Sequence, residues 1–227
     1  MGTEATNLYE TGPSGSTPLY LASVRGDAQS VRALLGAGAD PDQESGADDE
    51  GLPLCAAASW GHTETVEALL SAGADPDLRE DAGRSAMAAL HWAASGVHPG
   101  VVTALLTRGA DPDVADGRGR TALSHAAERG TAEIVRLLLT HGADPHRTDD
   151  AGRAPIDLAR TLAGRDLAAD LRHDAEAAAP AGSSITVRHE PNVITVETRA
   201  PDGSLRSERF LHTAHAAIVR LLEQSPS

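Results

Sequence analysis

The amino-acid sequence predicts a mostly helical solenoid of stacked helix-turn-helix repeats, followed by a small α+β module. Three observations predict it. A block reading G-A-D-P starts at residues 38, 73, 109 and 142, in steps of 35, 36 and 33 residues. An apolar stripe of V-x-x-L-L type precedes each block, and a second short helical segment precedes each stripe. After residue 184 the pattern changes to the two-residue alternation of strands.

The second helices are read at residues 30–42 (SVRALLGAGADPD), 65–77 (TVEALLSAGADPD), 101–113 (VVTALLTRGADPD) and 134–146 (IVRLLLTHGADPH). The first helices are read at residues 17–26 (TPLYLASVRG), 52–61 (LPLCAAASWG), 90–97 (LHWAASGV) and 121–130 (TALSHAAERG). Pro18 and Pro53 fall in a first helical turn, where a missing N–H costs nothing. The alanine pairs Ala57-Ala58, Ala93-Ala94 and Ala126-Ala127 let neighbouring helices approach. The pairs Leu34-Leu35, Leu69-Leu70, Leu105-Leu106 and Leu137-Leu138 bury against adjacent units, which no single unit can do alone. Taking 33 residues as the unperturbed period, the 36-residue step leaves three extra residues at 87–89, and this predicts a longer first helix in the third unit. There Val97 stands in the slot that holds Gly26, Gly61 and Gly130 elsewhere. The 35-residue step places two extra residues in the acidic loop 42–51.

Helix, glycine turn, V-x-x-L-L helix and G-A-D, as in TPLYLASVRG followed by SVRALLGAGAD, resemble the ankyrin repeat and its T-P-L-H-x-A-A signature. The resemblance covers residues 16–172: four clear units and a degenerate fifth at residues 149–174. The fifth unit's second helix is read at residues 165–172, with the polar outer face that a terminal repeat needs. The expected organisation is a flexible N-terminal segment at 1–15, the solenoid at 16–174, a linker at 175–184 and a module at 185–227. The resemblance implies a non-catalytic protein-binding module that uses a concave groove and the turn tips. In that register Trp60 faces the groove, and its equivalents are Arg25, Gly96 and Arg129, with Ser59 and Glu128 one position earlier. Trp60, Arg25 and Arg129 are the expected anchors, since Trp and Arg are enriched in interface hot spots. The alternative for Trp60 is partial burial against a neighbouring helix; Trp92 is expected in the core. The turn tips carry Arg79, Arg84, Arg118, Arg120, Arg147 and Arg153 among aspartates, a mixed potential.

The formal charge is −14, and all 19 basic residues are arginine. This composition points to a GC-rich, bacterial coding genome. Nucleic acid is not expected as a partner, because phosphate binding needs clustered basic residues and stacking aromatics, and the aromatics number five. No apolar run is long enough to span a membrane. The start of the chain lacks a secretory signal pattern, and the single Cys55 forms no internal disulfide, so a cytoplasmic location is expected.

Paired aspartates in G-A-D-P-D raise a metal reading, but one block per repeat fits structural punctuation: Gly after a helix, Asp on nearby N–H groups, Pro barring further helix. No cofactor or metal is expected. The acidic loop 40–50 is either a solvated turn or a contact for a basic partner, and a calcium-sensing role for it is a third reading. His91 stands at the signature histidine position and should bond the neighbouring turn, with His125 one place later. Cys55 occupies the same signature slot and should pack. No G-x-S-x-G, phosphate loop or C-x-x-C is present, so no enzyme is expected.

The C-terminal module reads as three strands, a turn at PDGS (201–204) and an amphipathic helix at 212–224. About forty residues are marginal as an independent core. The module should therefore dock on the last repeat or pair with another copy, and a free strand edge would accept a partner strand. The alternative function is thus a scaffold whose C-terminal βββα module mediates homo-oligomerisation, as a homodimer, or a regulatory contact, while the repeats recruit the target. Its helix motif AIVRLL echoes EIVRLLL of the fourth unit, a short echo of a kind common by chance.

Overall fold

The computed structural model describes residues 15–46, 51–80, 85–165 and 167–225; the expected N-terminal segment 1–15 lies almost wholly outside them. Helices α1 (Pro18–Arg25), α3 (Pro53–Ser59), α5 (Ala89–Ser95), α7 (Ala122–Arg129) and α9 (Pro155–Ala163) stack on one another as an inner layer. Helices α2 (Ala28–Gly36), α4 (Thr63–Ser71), α6 (Pro99–Thr107) and α8 (Ala132–Thr140) stack as an outer layer, each also packed on its own inner helix. The alanine pairs of α3, α5 and α7 are fully buried, so the inner helices meet without intervening side chains. Leu69, Leu105 and Leu138 are fully buried between the layers, whereas Leu137 is half-buried.

Inner-helix starts are capped by whichever group the sequence supplies. Thr17 Oγ1 accepts from the Tyr20 N–H, and Thr121 Oγ1 from the Ser124 N–H. In the third unit His91 Nδ1 accepts the Ala88 N–H at 3.0 Å instead. That bond holds Ala88 extended at φ −89°, ψ 169°, and so stops the helix there. The expected longer first helix is therefore absent, since α5 has seven residues, as α3 has. The three extra residues are taken up before it, between Glu80 and Met87. Glu80 N–H bonds Met87 O at 3.1 Å, where the next turns close by Asp116 N–H to Arg120 O and Asp149 N–H to Arg153 O. Ser45 N–H bonds Gly51 O, so the two extra residues of the acidic loop fall between these two, where residues 47–50 lie outside the described residues. Both insertions fall between repeats and leave the helices alone.

Between inner and outer helix the chain turns through a left-handed residue: Gly26, Gly61 and Gly130 have φ of 68°, 75° and 76°. Each of these glycines lies against an imidazole from the following unit, which a Cβ would strike: His62 against Gly26, His98 against Gly61, His215 against Gly130. The same imidazoles donate from Nε2 to a carbonyl of the preceding unit: His62 to Val24 O at 3.1 Å, His98 to Ser59 O at 3.0 Å and His215 to Glu128 O at 3.0 Å. Val97 adopts φ 62° in the glycine slot. Thr131 stands at the histidine position of the unit after it, so no ring blocks the Val97 side chain.

His215 exposes the main departure from the sequence reading. It opens α11 (His215–Glu223), which packs on α9 and α8 and buries Ile218 and Leu222 in the solenoid core. The order His-x-x-Ile-Val matches Thr131-x-x-Ile134-Val135, so α11 is the outer helix of the fifth unit. The helix expected in that role, residues 165–172, belongs to α10 (Leu167–Ala178), which packs on a sheet instead. Helix α10 continues through Ala178, inside the segment expected as linker. The antiparallel sheet has order β1 (Ser184–Glu190), β2 (Val193–Arg199), β3 (Leu205–His212), and a second small core forms where Ala175 meets Ile194 and Val196. The fifth repeat is thus split, with residues 164–214 inserted between its two helices.

Two outcomes check this fold. Val97→Gly should raise the unfolding free energy by about 1 kcal/mol, since a β-branched residue is relieved of the left-handed region; denaturant titration measures it. Ile218→Ala should cost about 2–4 kcal/mol in the main unfolding transition, whereas an independent C-terminal module would lose stability in a separate transition.

Candidate functional site

The residues expected to form a binding row sit where each inner helix ends. Arg25 closes α1, Trp60 caps α3, Gly96 caps α5 and Arg129 closes α7. Trp60 is 64% exposed, and Arg25 and Arg129 are exposed and form no ion pair with any described residue. The carbonyl just before each of Arg25, Trp60 and Arg129 is the acceptor of the inter-unit histidine bond. The backbone that carries the row is therefore pinned by the contact that spaces the repeats. Gly96 leaves a gap, because a Cβ there would meet the His98 ring.

The turn-tip arginines divide. Arg118 is exposed and unpaired among the described residues. Arg153 is tied to Asp149 through Nε at 2.9 Å and a second nitrogen at 2.7 Å. Arg84 lies outside the described residues. Arg120 corrects the expectation of a projecting tip, for its side chain is only 10% exposed and donates to Glu128 Oε2 at 2.6 Å. It folds inward onto the Glu128 carboxylate, whereas in the next unit the same aspartate-closed turn leaves Arg153 outside, paired with Asp149. Ser59 is half-buried, with its carbonyl engaged by His98. Trp92, expected in the core, is half-buried with its Nε1–H on Glu80 Oε2 at 2.9 Å.

Beneath the row runs a polar network that sequence reasoning did not assemble. His125 Nε2 meets Asp116 Oδ2 at 3.0 Å, and His125 Nδ1 meets Ser95 Oγ at 3.0 Å. His91 fulfils its expected role, with Nε2 near Val114 O at 2.9 Å and Arg120 O at 3.1 Å, and its ring meets His125 edge-on at 5.7 Å. Ser, His and Asp in this order match the connectivity of a nucleophilic triad. Yet Ser95 ends a helix, and the next two N–H groups, of Gly96 and Val97, are bonded to Trp92 O and Ala94 O. Neither is free to stabilise an oxyanion. Cys55 is buried with its thiol toward Met87 O, and burial pushes its pKa well up, away from thiolate chemistry.

The paired aspartates are spent on the backbone. The first Asp of each block accepts an N–H two residues on: Asp40 from Asp42, Asp75 from Asp77, Asp111 from Asp113 and Asp144 from His146. The second accepts the N–H of the first Asp in the next unit: Asp42 from Asp75 at 3.1 Å, Asp77 from Asp111 at 2.9 Å and Asp113 from Asp144 at 2.9 Å. The fourth block reads His146 instead, and no further G-A-D-P unit follows to need a carboxylate. Of the acidic loop, Asp48, Asp49 and Glu50 lie outside the described residues.

Burial, with the Arg120 charge beside it, lowers the His125 pKa to about 4. Burial lowers that of His91 too. Burial works against the Asp116 charge, but the Arg120 and Arg118 N–H groups outweigh it and hold its pKa below the usual value. An unfolded histidine titrates near 6.5. Between about pH 6.5 and 4 the unfolded chain binds protons that folded His125 refuses, so stability falls as pH falls through that window. The loss is of order 3 kcal/mol at most for one such group. Thermal melts from pH 7.5 to 4 should show this slope, and His125→Asn should make it shallower.

No helix among the described residues is long and apolar enough to cross a membrane. No curated protein matches the chain significantly. The family described as Ankyrin repeats (3 copies) matches residues 2–80 and again 81–175. With two successive matches across most of its length, stacked two-layer helices and glycine turns locked by histidines, the chain belongs to the ankyrin-repeat family.

Proposed function

We propose that this chain is a non-catalytic interaction module that grips a protein partner through the row Arg25, Trp60 and Arg129, with Arg118 reaching from the turn tips. Ankyrin repeats are generally protein–protein interaction modules. The observation that carries the specific reading is Trp60: a 64% exposed indole on a backbone held by an inter-unit hydrogen bond. A large rigid side chain presented this way loses little conformational entropy when a partner covers it. Two arginines without an ion pair to any described residue add donors for carboxylates or aromatic faces. Glu128 and Ser59 contribute as supports, since Glu128 holds Arg120 and Ser59 receives His98.

The rival reading, a separate βββα unit that dimerises, loses its helix, because α11 is buried against α8 and α9. What remains for a separate role is α10 and the sheet. Trp60→Ala should leave the melting temperature and circular dichroism unchanged. Immobilised beside the unaltered chain in extracts of the source cell, it should retain the captured partner at least about tenfold less tightly, as loss of a hot-spot side chain does. Equal retention by both baits would sink the anchor assignment.

A further inference from the structure

The inserted sheet ends in an uncovered strand. In the order β1-β2-β3, strand β3 has a neighbour on one side only, and residues 205–210 along it are exposed. An edge of this kind offers a row of unpaired backbone donors and acceptors to another strand.

The register assigns its side chains to two faces. Leu205, Glu208 and Phe210 lie opposite Arg199, Glu197 and Thr195 on the face away from α10. Leu205 is 51% and Phe210 61% exposed, the two large apolar side chains of that face left open to solvent. On that face Glu197 is nearly buried between Arg188 at 2.9 Å and Arg199 at 3.1 Å. Ser207 and Arg209 lie opposite Thr198 and Val196 on the α10 side. The irregularity between Thr198 and Arg199 leaves Arg206 without an opposite residue. Arg206 and Arg209 line a cleft with Ser207, Thr198, Ala175 and Ala178, between β3 and the end of α10. Neither arginine forms an ion pair with any described residue. The chain as a whole carries a formal charge of −14, so the attraction a negative segment meets here is local to these two arginines.

We propose that β3 takes an extended peptide from a protein partner as a fourth strand, one that alternates carboxylate and apolar side chains. Side chains of a strand point alternately to its two faces. The carboxylates would lie over Arg206 and Arg209 in the cleft, and the apolar side chains between them would cover Leu205 and Phe210. Backbone pairing supplies affinity, and the alternation supplies selectivity. A second copy of this chain fits less well. Antiparallel self-pairing centred on the strand sets Glu208 against Glu208 or Arg209 against Arg209, and like charges directly opposite are destabilising. The site is separate from the Trp60 row, and either can fail without the other.

The test is a titration of the full chain into a fluorescently labelled synthetic peptide alternating glutamate and valine, followed by anisotropy at low salt. The expected result is saturable binding that weakens with added salt and falls at least about tenfold in the Arg206→Glu, Arg209→Glu double variant. Both positions are exposed, so circular dichroism and melting should be unchanged. The same peptide N-methylated at alternate amides, which cannot pair along its backbone, should not bind. The proposal is overturned if the N-methylated peptide binds equally, which would leave a charge contact without strand addition. It is also overturned if a lysine–valine peptide binds as well, if the double variant binds undiminished, or if sedimentation shows that β3 is closed by a second copy.

Discussion

A histidine that reaches back across a glycine turn to a carbonyl of the preceding repeat sets the geometry on which the rest of this solenoid depends. The bond needs three things at once: a left-handed turn, no Cβ at that turn, and an imidazole whose Nε2 carries the proton. Where all three are present, as at Gly26–His62, Gly61–His98 and Gly130–His215, the ring fills the space the glycine leaves. At Val97 and Thr131 the pair is lost together, and strain at Val97 replaces a ring that is no longer there. The aspartate ladder fixes the repeats at another point of each unit, carboxylate to N–H. Both sets of hydrogen bonds join the first three units, whereas the ladder alone joins the third to the fourth and the histidine alone the fourth to the fifth. With the alanine-lined interface they leave adjacent units little freedom to slide. Side chains mounted beside these bonds, Trp60 above all, inherit that rigidity.

The same constraint explains how the chain tolerates an insertion as long as residues 164–214. Where the next unit brings a histidine, as after the first, second and fourth units, the inner-to-outer turn must place its carbonyl for that ring, so a long excursion there would break the contact beyond it. In the fifth unit nothing described follows, and the turn carries no such duty. The outer helix can then return from any distance, provided it brings His215 for the Glu128 carbonyl and Ile218 for the core. Loop-closure entropy rises only slowly with length, so the excursion costs little beyond that of a short loop. The inserted α10 and sheet form their own small core and add an edge strand that an uninterrupted fifth repeat would lack.

Much of this was legible in the sequence because the repeat writes its constraints as letters. G-A-D-P-D named the turn and the helix stop, though not the carboxylate ladder from unit to unit, and His91 was correctly placed from its signature slot. The fifth repeat was not legible, because residues 165–172 follow α9 directly and form a helix, and local order favours the nearer candidate. The discriminating signal was present in the register: His215 stands three residues before Ile218 and four before Val219, as Thr131 does before Ile134 and Val135. The motif AIVRLL alone is a short match, but a histidine at the locking position makes it a repeat helix. The third unit misled for a different reason. Three residues equal nearly one helical turn, so length alone could not tell an extended helix from a longer connection before it. The side chain that decided it, His91 capping Ala88, acts through a contact that no spacing reveals.

Which residues report on binding follows from what each one holds up. Glu128 is half-exposed and lies beside the row, yet it is the partner of the nearly buried Arg120 guanidinium. Removing it takes the counter-charge from a nearly buried guanidinium, which costs stability as well as any contact with a partner. Arg120 in turn shares its turn with Asp116, and Asp116 with His125 and Ser95, so a change at Ser95 or Glu128 propagates into the core between the third and fourth repeats. A loss of partner affinity at those positions would not distinguish contact from collapse. Among the described residues, Trp60, Arg25 and Arg129 make no side-chain hydrogen bond or ion pair that holds another residue in place, while their backbones are fixed by the histidine bonds. A side chain free of structural duty on a backbone that cannot move is where a change in affinity reads as a lost contact.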